Sequence, residues 1–420
     1  ATLLLLGAGL GGVPMAYELR EKARSEDRVI VVSDHEFYHF VPSNPWIVVG
    51  WRRPEAIKVH LQEPLAKKGI EFVEGRVVRL LPDQNKILLA DGQILGYDQL
   101  IIATGPYPAF DEIEGLGPDH YSHSIVHIDH AMSAREAWDK FVEEPGQIVV
   151  GAVQESSCFG PAYEFAFILD RDLRERHIRK KVTMTFVTPE PFIGHLGYGG
   201  ISDSREMLEQ ELREHDIRWI CNARVDRVTR HGVEVVELDA QGEVKETHSL
   251  ASDFTMLLPA FRGIDPLLGI AGLVDEHGFV KVDTHQRNQA YPNIWSVGVA
   301  VAIPSSEKTP VPIGVPKAGF MIESMVTAAA HNICAVLDGK EPDKEAVWNA
   351  VYLADMGNTG IAFIAMPQIP PRRFDALTEG KWVHLAKVAF ESYFLNKIRN
   401  GNSEHVYERY VMDKLKGESG

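Results

Sequence analysis

The hydrophobic pattern at the start of the chain predicts a strand, a helix and a second strand. Residues 2–6 are predicted to form a strand, and Leu3 to Leu6 are a continuous apolar run, which is typical of a strand covered on both faces. Residues 14–24 are predicted to form a helix, and residues 28–33 form a second apolar run that ends at Asp34. This order indicates a βαβ unit in a parallel sheet.

The turn between the first strand and the helix contains Gly7, Gly9 and Gly12 in the pattern G-x-G-x-x-G. Gly7 suits a tight turn, Gly9 lets a pyrophosphate approach the backbone, and Gly12 allows close packing of the helix on the strand. Asp34 lies about twenty residues further on, where a carboxylate binds a ribose. The sequence therefore predicts a dinucleotide-binding site, and a glycine turn that binds nothing is the alternative.

A second parallel strand is predicted at residues 147–151, but no second glycine cradle follows it. After Gly151 the next glycine is Gly160, and a proline comes directly after it. Cys158 lies in this altered loop, and Glu164 follows on a helix predicted over residues 161–171. The second unit is expected to keep the Rossmann architecture without a nicotinamide nucleotide. Cys158 is either a thiol that reacts or a buried cysteine at a helix start.

Near the C-terminus, residues 381–399 are amphipathic at helical spacing. Trp382, Leu385, Ala389 and Ser392 fall on one side of this helix, and Phe390, Tyr393, Phe394 and Lys397 fall on the neighbouring side. Aromatic residues with basic flanks suit a membrane interface, and an ordinary core helix is the alternative. A second, shorter amphipathic stretch covers residues 404–415.

Composition excludes several classes of protein. The chain has 420 residues, 45% of them hydrophobic, and a net charge of −16, which disfavours nucleic acid as a partner. No run of eighteen apolar residues is evident, so no bilayer-spanning segment is expected, and no signal peptide is expected before the first strand. The three cysteines contain no CxxC pair, which predicts neither a disulfide framework nor a metal site.

Several longer motifs resemble those of known flavoproteins. Residues 97–105, which end in Thr104 and Gly105, resemble the YDxLIIATG segment of flavoproteins with two dinucleotide-binding domains. Residues 157–164 resemble the SCFGPAYE motif of sulfide:quinone reductases, and the likeness extends from about residue 4 to residue 402. Further motifs of the same family match residues 40–45, 190–195 and 309–317.

This resemblance implies three sets of site residues. Contacts to FAD are expected from Gly7, Gly9, Gly12, Asp34, Pro42, Asn44, Thr104, Gly105, Gly298 and Lys317. Sulfide chemistry is expected at Cys158, Glu164, His130 and His195. A quinone is expected between Phe390 and Val351, with Lys387 and Glu323 at its polar end and Tyr352 close by.

Two residues depart from the family pattern. The resemblance places redox cysteines at three positions, and this chain has Cys158 at one, Val126 at the second and Tyr352 at the third. Cys158 therefore lacks its partner. FAD is expected to be non-covalent, because Val126 cannot form the thioether that some family members make. Cys221 and Cys334 match no motif and are predicted to lie in the core.

We therefore predict an α/β protein with two tandem Rossmann-type domains and a C-terminal amphipathic helical region that contacts the membrane. The FAD domain is expected over residues 1–110 and 270–345, the second domain over 111–269, and the membrane and quinone region over 346–420. The predicted activity is electron transfer from sulfide or a related sulfur species to a quinone, at the periphery of the cell membrane. A homo-oligomer is left open.

Three alternatives remain at this point. The first is an NADH:quinone oxidoreductase of the same fold, which the missing second cradle disfavours. The second is a flavoprotein that has lost its redox centre, in which Val126 and Tyr352 simply replace cysteines. The third is a soluble sulfide dehydrogenase that passes electrons to a cytochrome, which the amphipathic C-terminal segment disfavours.

Overall fold

The computed structural model describes residues 1–305, 307–317, 319–368 and 371–404. The described residues form eight α-helices: α1 (Gly12–Lys22), α2 (Asn44–Val48), α3 (Gln62–Lys67), α4 (Ile128–Phe141), α5 (Phe159–Glu175), α6 (Ser204–Glu214), α7 (Gly319–Leu337) and α8 (Lys381–Asn400). The helices predicted from residues 14–24, 161–171 and 381–399 are confirmed as α1, α5 and α8, with bounds shifted by a few residues.

The first Rossmann sheet has five parallel strands. In spatial order they are Ile294–Ser296, Gln99–Ile102, Thr2–Leu6, Arg28–Ser33 and Glu71–Glu74. The apolar runs of the N-terminal strands are almost completely buried, as strands covered on both faces should be. The strand Ile294–Ser296 returns to this sheet from far along the chain and pairs with Gln99–Ile102.

The second Rossmann sheet has four parallel strands. In spatial order they are Ile217–Ile220, Thr183–Val187, Gln147–Ala152 and Phe254–Leu258. Both sheets share the order 3-2-1-4 around their first strand, which is the doubly wound topology of dinucleotide-binding folds. The prediction of two Rossmann-type units is confirmed, whereas the predicted domain boundaries remain a prediction.

Antiparallel sheets complete the molecule. One contains Val77–Leu81, Lys86–Leu89 and Ile94–Gly96, and another contains Ala223–Thr229, Gly232–Leu238 and Val244–Ala251. The C-terminal sheet contains Ala350–Asp355, Gly360–Met366 and Phe374–Glu379. Two short pairs join Phe37–His39 to Lys58–His60 and Tyr107–Pro108 to Phe261–Arg262. The sequence did not predict the C-terminal sheet, on which α8 packs.

Among the described residues, one helix, α7, is long and apolar enough to cross a membrane by length and composition alone. Its mean hydropathy is 1.4, and 56% of the relevant window is buried inside the protein. The expectation that no segment spans a bilayer stays a prediction, because this test uses length and composition alone. A core helix passes the same test, and α7 packs against α1 and carries the buried polar residues Glu323 and Asn332.

Candidate functional site

The glycine turn before α1 has the geometry of a nucleotide cradle. A Cβ on Gly7 would lie 2.3 Å from the carbonyl oxygen of Ala103, and one on Gly12 would lie 2.0 Å from that of Gly7. A Cβ on Gly9 would meet nothing within 4 Å. Two of the glycines are therefore required by packing, while the backbone at Gly9 borders open space that a pyrophosphate can approach.

The N-terminus of α1 keeps its backbone donors available. Within the described residues, no side chain caps this helix, and its first turn has no acidic residue. Asp34 follows the second strand, and its side chain is exposed. Its Oδ1 atom lies 3.7 Å from Nε2 of His35. An uncapped helix start beside an open cradle is a site for an anionic phosphate.

The segment of residues 40–45 packs against α8 through the ring of Phe40, which contacts those of Phe390 and Phe394. Asn44 is completely buried, and its side-chain amide donates to the carbonyl oxygen of Ile125 at 2.8 Å. The Oδ1 atom of Asn44 is buried without a partner among the described residues. Because buried acceptors are rarely left unpaired, this oxygen suits a donor group of a bound ligand. Pro42 lies in the short turn Val41–Ser43 that precedes Asn44.

Two further predicted cofactor residues lie together after the last strand of the first sheet. Gly298 has a φ of 79°, a conformation that favours glycine, and Lys317 donates to the carbonyl oxygen of Val299 at 2.9 Å. Burial lowers the pKa of Lys317 to about 7. Thr104 and Gly105 follow the neighbouring strand, Gln99–Ile102, so all four lie at the carboxyl end of the sheet, where ligands of this fold bind.

Cys158 is a free thiol at the residue that precedes α5. Two backbone hydrogen bonds join its loop to the segment before Lys317. The backbone nitrogen of Glu155 donates to the carbonyl oxygen of Pro312 at 2.7 Å, and the backbone nitrogen of Gly314 donates to that of Ser156 at 2.8 Å. Burial raises the pKa of the Cys158 thiol to about 12, with opposing contributions from Ser157 and Lys317. Cys158 thus needs a base before it can act as a nucleophile.

A buried polar cluster lies behind the Cys158 loop. Glu164 accepts a hydrogen bond from the Tyr352 hydroxyl at 3.0 Å, and its other carboxylate oxygen forms an ion pair with Lys387. The Tyr352 ring lies against Gly160, where a Cβ would be 2.6 Å from its Cε1 atom. Burial raises the pKa of Glu164, while Lys387 opposes this shift. The cluster joins Glu164, which was predicted for the sulfide site, with Tyr352 and Lys387, which were predicted for the quinone site.

This polar cluster continues to the surface through Asp355. The Asp355 carboxylate accepts from Trp46 Nε1 at 2.8 Å and bonds His384 Nδ1 at 2.6 Å, and its backbone nitrogen donates to Glu164 at 3.4 Å. His384 is partly exposed on α8. Asp355 thus contacts Glu164 through its backbone nitrogen and the partly exposed His384 through its carboxylate.

The other face of the same strand carries an aromatic pocket. Val351 packs in a cluster of half-buried side chains: Phe320, Met366, Phe374, Ala376, Trp382, Phe390 and Tyr393. The Phe390 ring lies 5.6 Å from that of Phe40, next to the segment containing Asn44. Because side chains alternate along a strand, Val351 and Tyr352 face opposite sides. The structure therefore brings Val351 and Phe390 together and places Tyr352 with Gly160 instead.

Lys387 and Glu323, both expected at the polar end of the quinone, lie in two separate ion pairs. Lys387 pairs with Glu164, whereas Glu323 pairs with Lys397 at 3.3 Å. All four side chains are buried. Two of the four cations expected to give α8 a basic membrane face are therefore used inside the protein, and Lys381 and Arg399 are the exposed ones.

The two candidate histidines lie in different surroundings. His195 is buried, its Nε2 bonds Glu307 at 2.9 Å, and burial lowers its pKa against the effect of Glu307. His130 contacts Ser124 at 3.2 Å and the Phe110 ring, and burial lowers its pKa too. Within the described residues, neither histidine is joined by a hydrogen bond to Cys158 or Glu164.

The place of a second nucleotide is taken by protein. Gln154 exchanges hydrogen bonds of 3.0 Å with the backbone of Val225, and Tyr352 covers Gly160 in the first turn of α5. A pyrophosphate bound at the start of α5 would have to displace this ring. The alternative that depends on NADH is disfavoured on this geometric ground.

One group of side chains has the spacing of metal ligands. Ligand atoms of Glu237, Glu246 and His248 lie within 4.8 Å of one another on a surface sheet. Glu237 already bonds Lys245 at 2.6 Å and His248 at 2.9 Å. Its carboxylate is satisfied by protein groups, and we assign no metal to it.

Comparisons with known proteins identify the family. The family profile Pyridine nucleotide-disulphide oxidoreductase matches residues 1–318, and the chain belongs to this family of enzymes. Within it, the chain belongs to the sulfide:quinone reductases. It is 39% identical to the sulfide-quinone reductase of Aquifex aeolicus over 98% of this chain and 94% of that protein. It is also 25% identical to the mitochondrial sulfide:quinone oxidoreductase of Mus musculus, over 73% of this chain and 66% of that protein.

Solved structures agree with this assignment. The sulfide:quinone oxidoreductase from Aquifex aeolicus superposes with a TM-score of 0.93, covering 98% of this chain and 94% of that one. NDH2 from Plasmodium falciparum superposes with a TM-score of 0.73 at 14% identity, covering 95% and 96%, which shows the shared fold alone. Membership in this family implies a flavin cofactor, as the first cradle predicted.

Proposed function

We propose that the protein is an FAD-dependent enzyme that transfers electrons from sulfide, or a related sulfur species, to a quinone. One observation carries this proposal. The strand Ala350–Asp355 presents Tyr352 to the Cys158 loop on one face and Val351 to Phe390 on the other. A thiol site and an apolar ring pocket thus lie on opposite sides of one strand, as two separate half-reactions require.

FAD fits the first Rossmann unit. The open backbone at Gly9 and the uncapped start of α1 would hold its pyrophosphate, and Asp34 would bind its ribose. Asn44 Oδ1 would accept from the cofactor, and Lys317 would place a cation near it. With Val126 in place of a cysteine, the cofactor is held without a covalent bond. When bound, the flavin accepts an electron pair from the sulfur donor and returns it to the quinone.

A single thiol sets the form of the sulfur product. In the first step, the Cys158 thiol and HS⁻ are oxidised together to a Cys158 persulfide. The quinone takes up the two electrons and, with one added proton, becomes the quinol. A second HS⁻ then takes the outer sulfur as HSS⁻ and restores the thiol. Since Cys221 and Cys334 lie in other parts of the structure, this external acceptor replaces an internal disulfide partner.

The decisive experiment separates the donor from the acceptor. Holoenzyme is mixed anaerobically with sulfide, and flavin absorbance is followed until a soluble quinone analogue is added. Bleaching by sulfide followed by recovery with quinone is the expected result. Bleaching by NADH but not by sulfide would overturn the proposal in favour of an NADH:quinone oxidoreductase.

We further propose that α8 lies at a membrane surface as a peripheral contact. Leu385 on α8 is 65% exposed and Val347 is 58% exposed, with half-buried Trp382 and Phe390 on the same helix. Exposed apolar side chains beside an apolar ring pocket suit contact with the bilayer that holds the quinone. The second predicted amphipathic stretch, residues 404–415, falls almost entirely outside the described residues.

This membrane contact predicts a specific loss of binding. Leu385→Glu should reduce the fraction of protein that floats with phospholipid vesicles, because it places a charge in the apolar contact. Lys67→Glu, on the exposed end of α3, is the matched surface control and should float like the wild type. Equal flotation of both variants would remove α8 from the contact.

A further inference from the structure

One buried hydrogen bond joins the segment that carries Asn44 to helix α8. Ser43 is completely buried, and its hydroxyl donates to Oε2 of Glu391 at 2.5 Å. Glu391 is a buried residue of α8 and follows Phe390 directly. Asn44, whose Oδ1 atom has no partner among the described residues, is therefore adjacent in sequence to one end of this bond, and Phe390 is adjacent to the other.

The other carboxylate oxygen of Glu391 is held by a cation. Arg52 Nε donates to Oε1 of Glu391 at 3.0 Å, and the guanidinium of Arg52 lies 4.5 Å from the centre of the Trp46 ring. The carboxylate therefore has a partner on each oxygen, and these charge-assisted bonds fix its orientation. Because Arg52 holds Glu391 in place, the acceptor keeps its position even when the Ser43 hydroxyl is removed.

A second hydrogen bond ties the same segment to the opposite wall of the aromatic pocket. Trp46 Nε1 donates to Oδ2 of Asp355 at 2.8 Å, and Asp355 ends the strand that carries Val351. Both walls of the pocket, Phe390 on α8 and Val351 on this strand, are thus connected to residues 43–46.

We propose that Glu391 is a positioning residue for quinone reduction, which through Ser43 fixes the pocket around Phe390 relative to the segment that carries Asn44. Glu391 exchanges no proton and no electron in this role. It sets the spacing and orientation of the two reactants, on which the rate of transfer depends steeply. The inference rests on the proposed function, because Asn44 is there assigned to the flavin and Phe390 to the quinone.

Directional bonding is what distinguishes this contact from the apolar packing around it. The Phe40 ring lies 5.6 Å from that of Phe390 and 5.9 Å from that of Phe394, so apolar contacts also join the segment to α8. Apolar burial is non-directional and tolerates small displacements of one element along another. The bond from Ser43 to Glu391 has one geometry and therefore sets the position of α8 against the segment.

The test uses Ser43→Ala holoenzyme that has been reduced with dithionite, so that the result does not depend on the sulfur donor. This variant removes one hydroxyl and leaves Glu391 paired with Arg52, so the fold should be kept. Ser252→Ala is the matched control, because the Ser252 hydroxyl is also buried and donates to the carbonyl oxygen of Phe254 at 2.9 Å, in the second Rossmann sheet.

Two measurements should change in Ser43→Ala and stay at the wild-type value in Ser252→Ala. Reoxidation at saturating soluble quinone, expressed per bound flavin, should slow at least about tenfold, because the reactants are misplaced. The affinity of oxidised holoenzyme for a redox-inert quinone analogue, followed by flavin fluorescence, should fall at least about threefold. Bleaching of the oxidised flavin by sulfide should stay within about twofold of wild type.

A double-mutant cycle tests whether Glu391 acts through Ser43. Glu391→Ala should slow reoxidation at least as much as Ser43→Ala, and combining the two substitutions should slow it no further than Glu391→Ala alone. Losses that multiply in the double variant would mean that the two residues act independently, which overturns the proposal.

The remaining outcomes separate this inference from the proposed function. Reoxidation of Ser43→Ala at the wild-type rate excludes the positioning role, as does an equal loss in Ser252→Ala. Wild-type holoenzyme that quinone does not reoxidise after dithionite reduction would overturn the proposed acceptor and the positioning role together. Wild-type holoenzyme that sulfide does not bleach would overturn the proposed donor alone, since dithionite replaces it in this test.

Discussion

At the scale of single residues, the contact between Gly160 and Tyr352 decides how the start of α5 is packed. Gly160 lies in the first turn of the helix, and its absent side chain is replaced by the Tyr352 ring. The ring is held by the bond of its hydroxyl to Glu164 and cannot simply rotate away. The missing side chain of Gly160 on α5 thus makes room for the Tyr352 ring of the C-terminal sheet.

We predict that Gly160→Ala destabilises the protein although alanine is the better helix former. Helix propensity alone would favour alanine by about 1 kcal/mol. The added Cβ would lie 2.6 Å from Tyr352 Cε1, and such overpacking costs about 1–3 kcal/mol. Thermal unfolding of the holoenzyme measures the difference. Gly319→Ala is the control, since its Cβ meets Phe390 only at 4.0 Å, and a Gly160→Ala melting temperature at or above wild type would contradict this packing.

At the scale of elements, two buried ion pairs fix the rotation of α8. Lys387 reaches Glu164 on α5, and Lys397 reaches Glu323 on α7. Because both lysines face inward, Leu385 and Ala389 face outward. The ion pairs therefore determine which side of the helix is available to a membrane.

We expect Lys397→Met to destabilise the packing of α8 on α7. Lys397→Met removes the cation that pairs with the buried Glu323 carboxylate, and breaking a buried ion pair costs about 3–5 kcal/mol. Denaturant unfolding checks this, with Arg205→Met as a control, because its pair with Glu209 is exposed and contributes at most about 1 kcal/mol. Equal effects of the two substitutions would mean that the Lys397 pair is no stronger than a surface pair.

The sequence predicts the helix α8 but not the partners of its buried lysines. The period of apolar residues in 381–399 predicts α8, because that pattern is local. The partners of Lys387 and Lys397 lie 223 and 74 residues away, so no local signal reveals that these cations are buried. For the same reason the sequence does not reveal that the Tyr352 ring lies against Gly160 in the first turn of α5.

At the scale of the whole molecule, the two proposed half-reactions fall on opposite faces of the strand Ala350–Asp355. The glycine cradle and the two Rossmann sheets could be predicted from the sequence, since their motifs are contiguous. The C-terminal sheet that separates the Cys158 loop from the aromatic pocket could not, because its strands Ala350–Asp355 and Phe374–Glu379 lack a strong alternating pattern. Under the proposed function, their arrangement is what keeps the two half-reactions apart.

This separation predicts that one substitution can slow flavin reoxidation by quinone without slowing flavin reduction by sulfide, and that another can do the reverse. Phe390→Ala should leave bleaching of the flavin by sulfide within about twofold of wild type, since Phe390 lies on the Val351 face of the strand. Reoxidation by quinone should slow at least about tenfold, because an apolar wall of the ring pocket is lost. Stopped-flow absorbance measures both rates in the same sample.

Cys158→Ser should show the opposite pattern. Bleaching by sulfide should slow by about a hundredfold or more, since a serine hydroxyl cannot carry the transferred sulfur. After reduction with dithionite, its reoxidation by quinone should match wild type, because the aromatic pocket is untouched. Val351→Ala serves as a second pocket variant and should follow Phe390→Ala. If either substitution slowed both half-reactions equally, the strand would not divide two independent sites, and donor and acceptor would share one site.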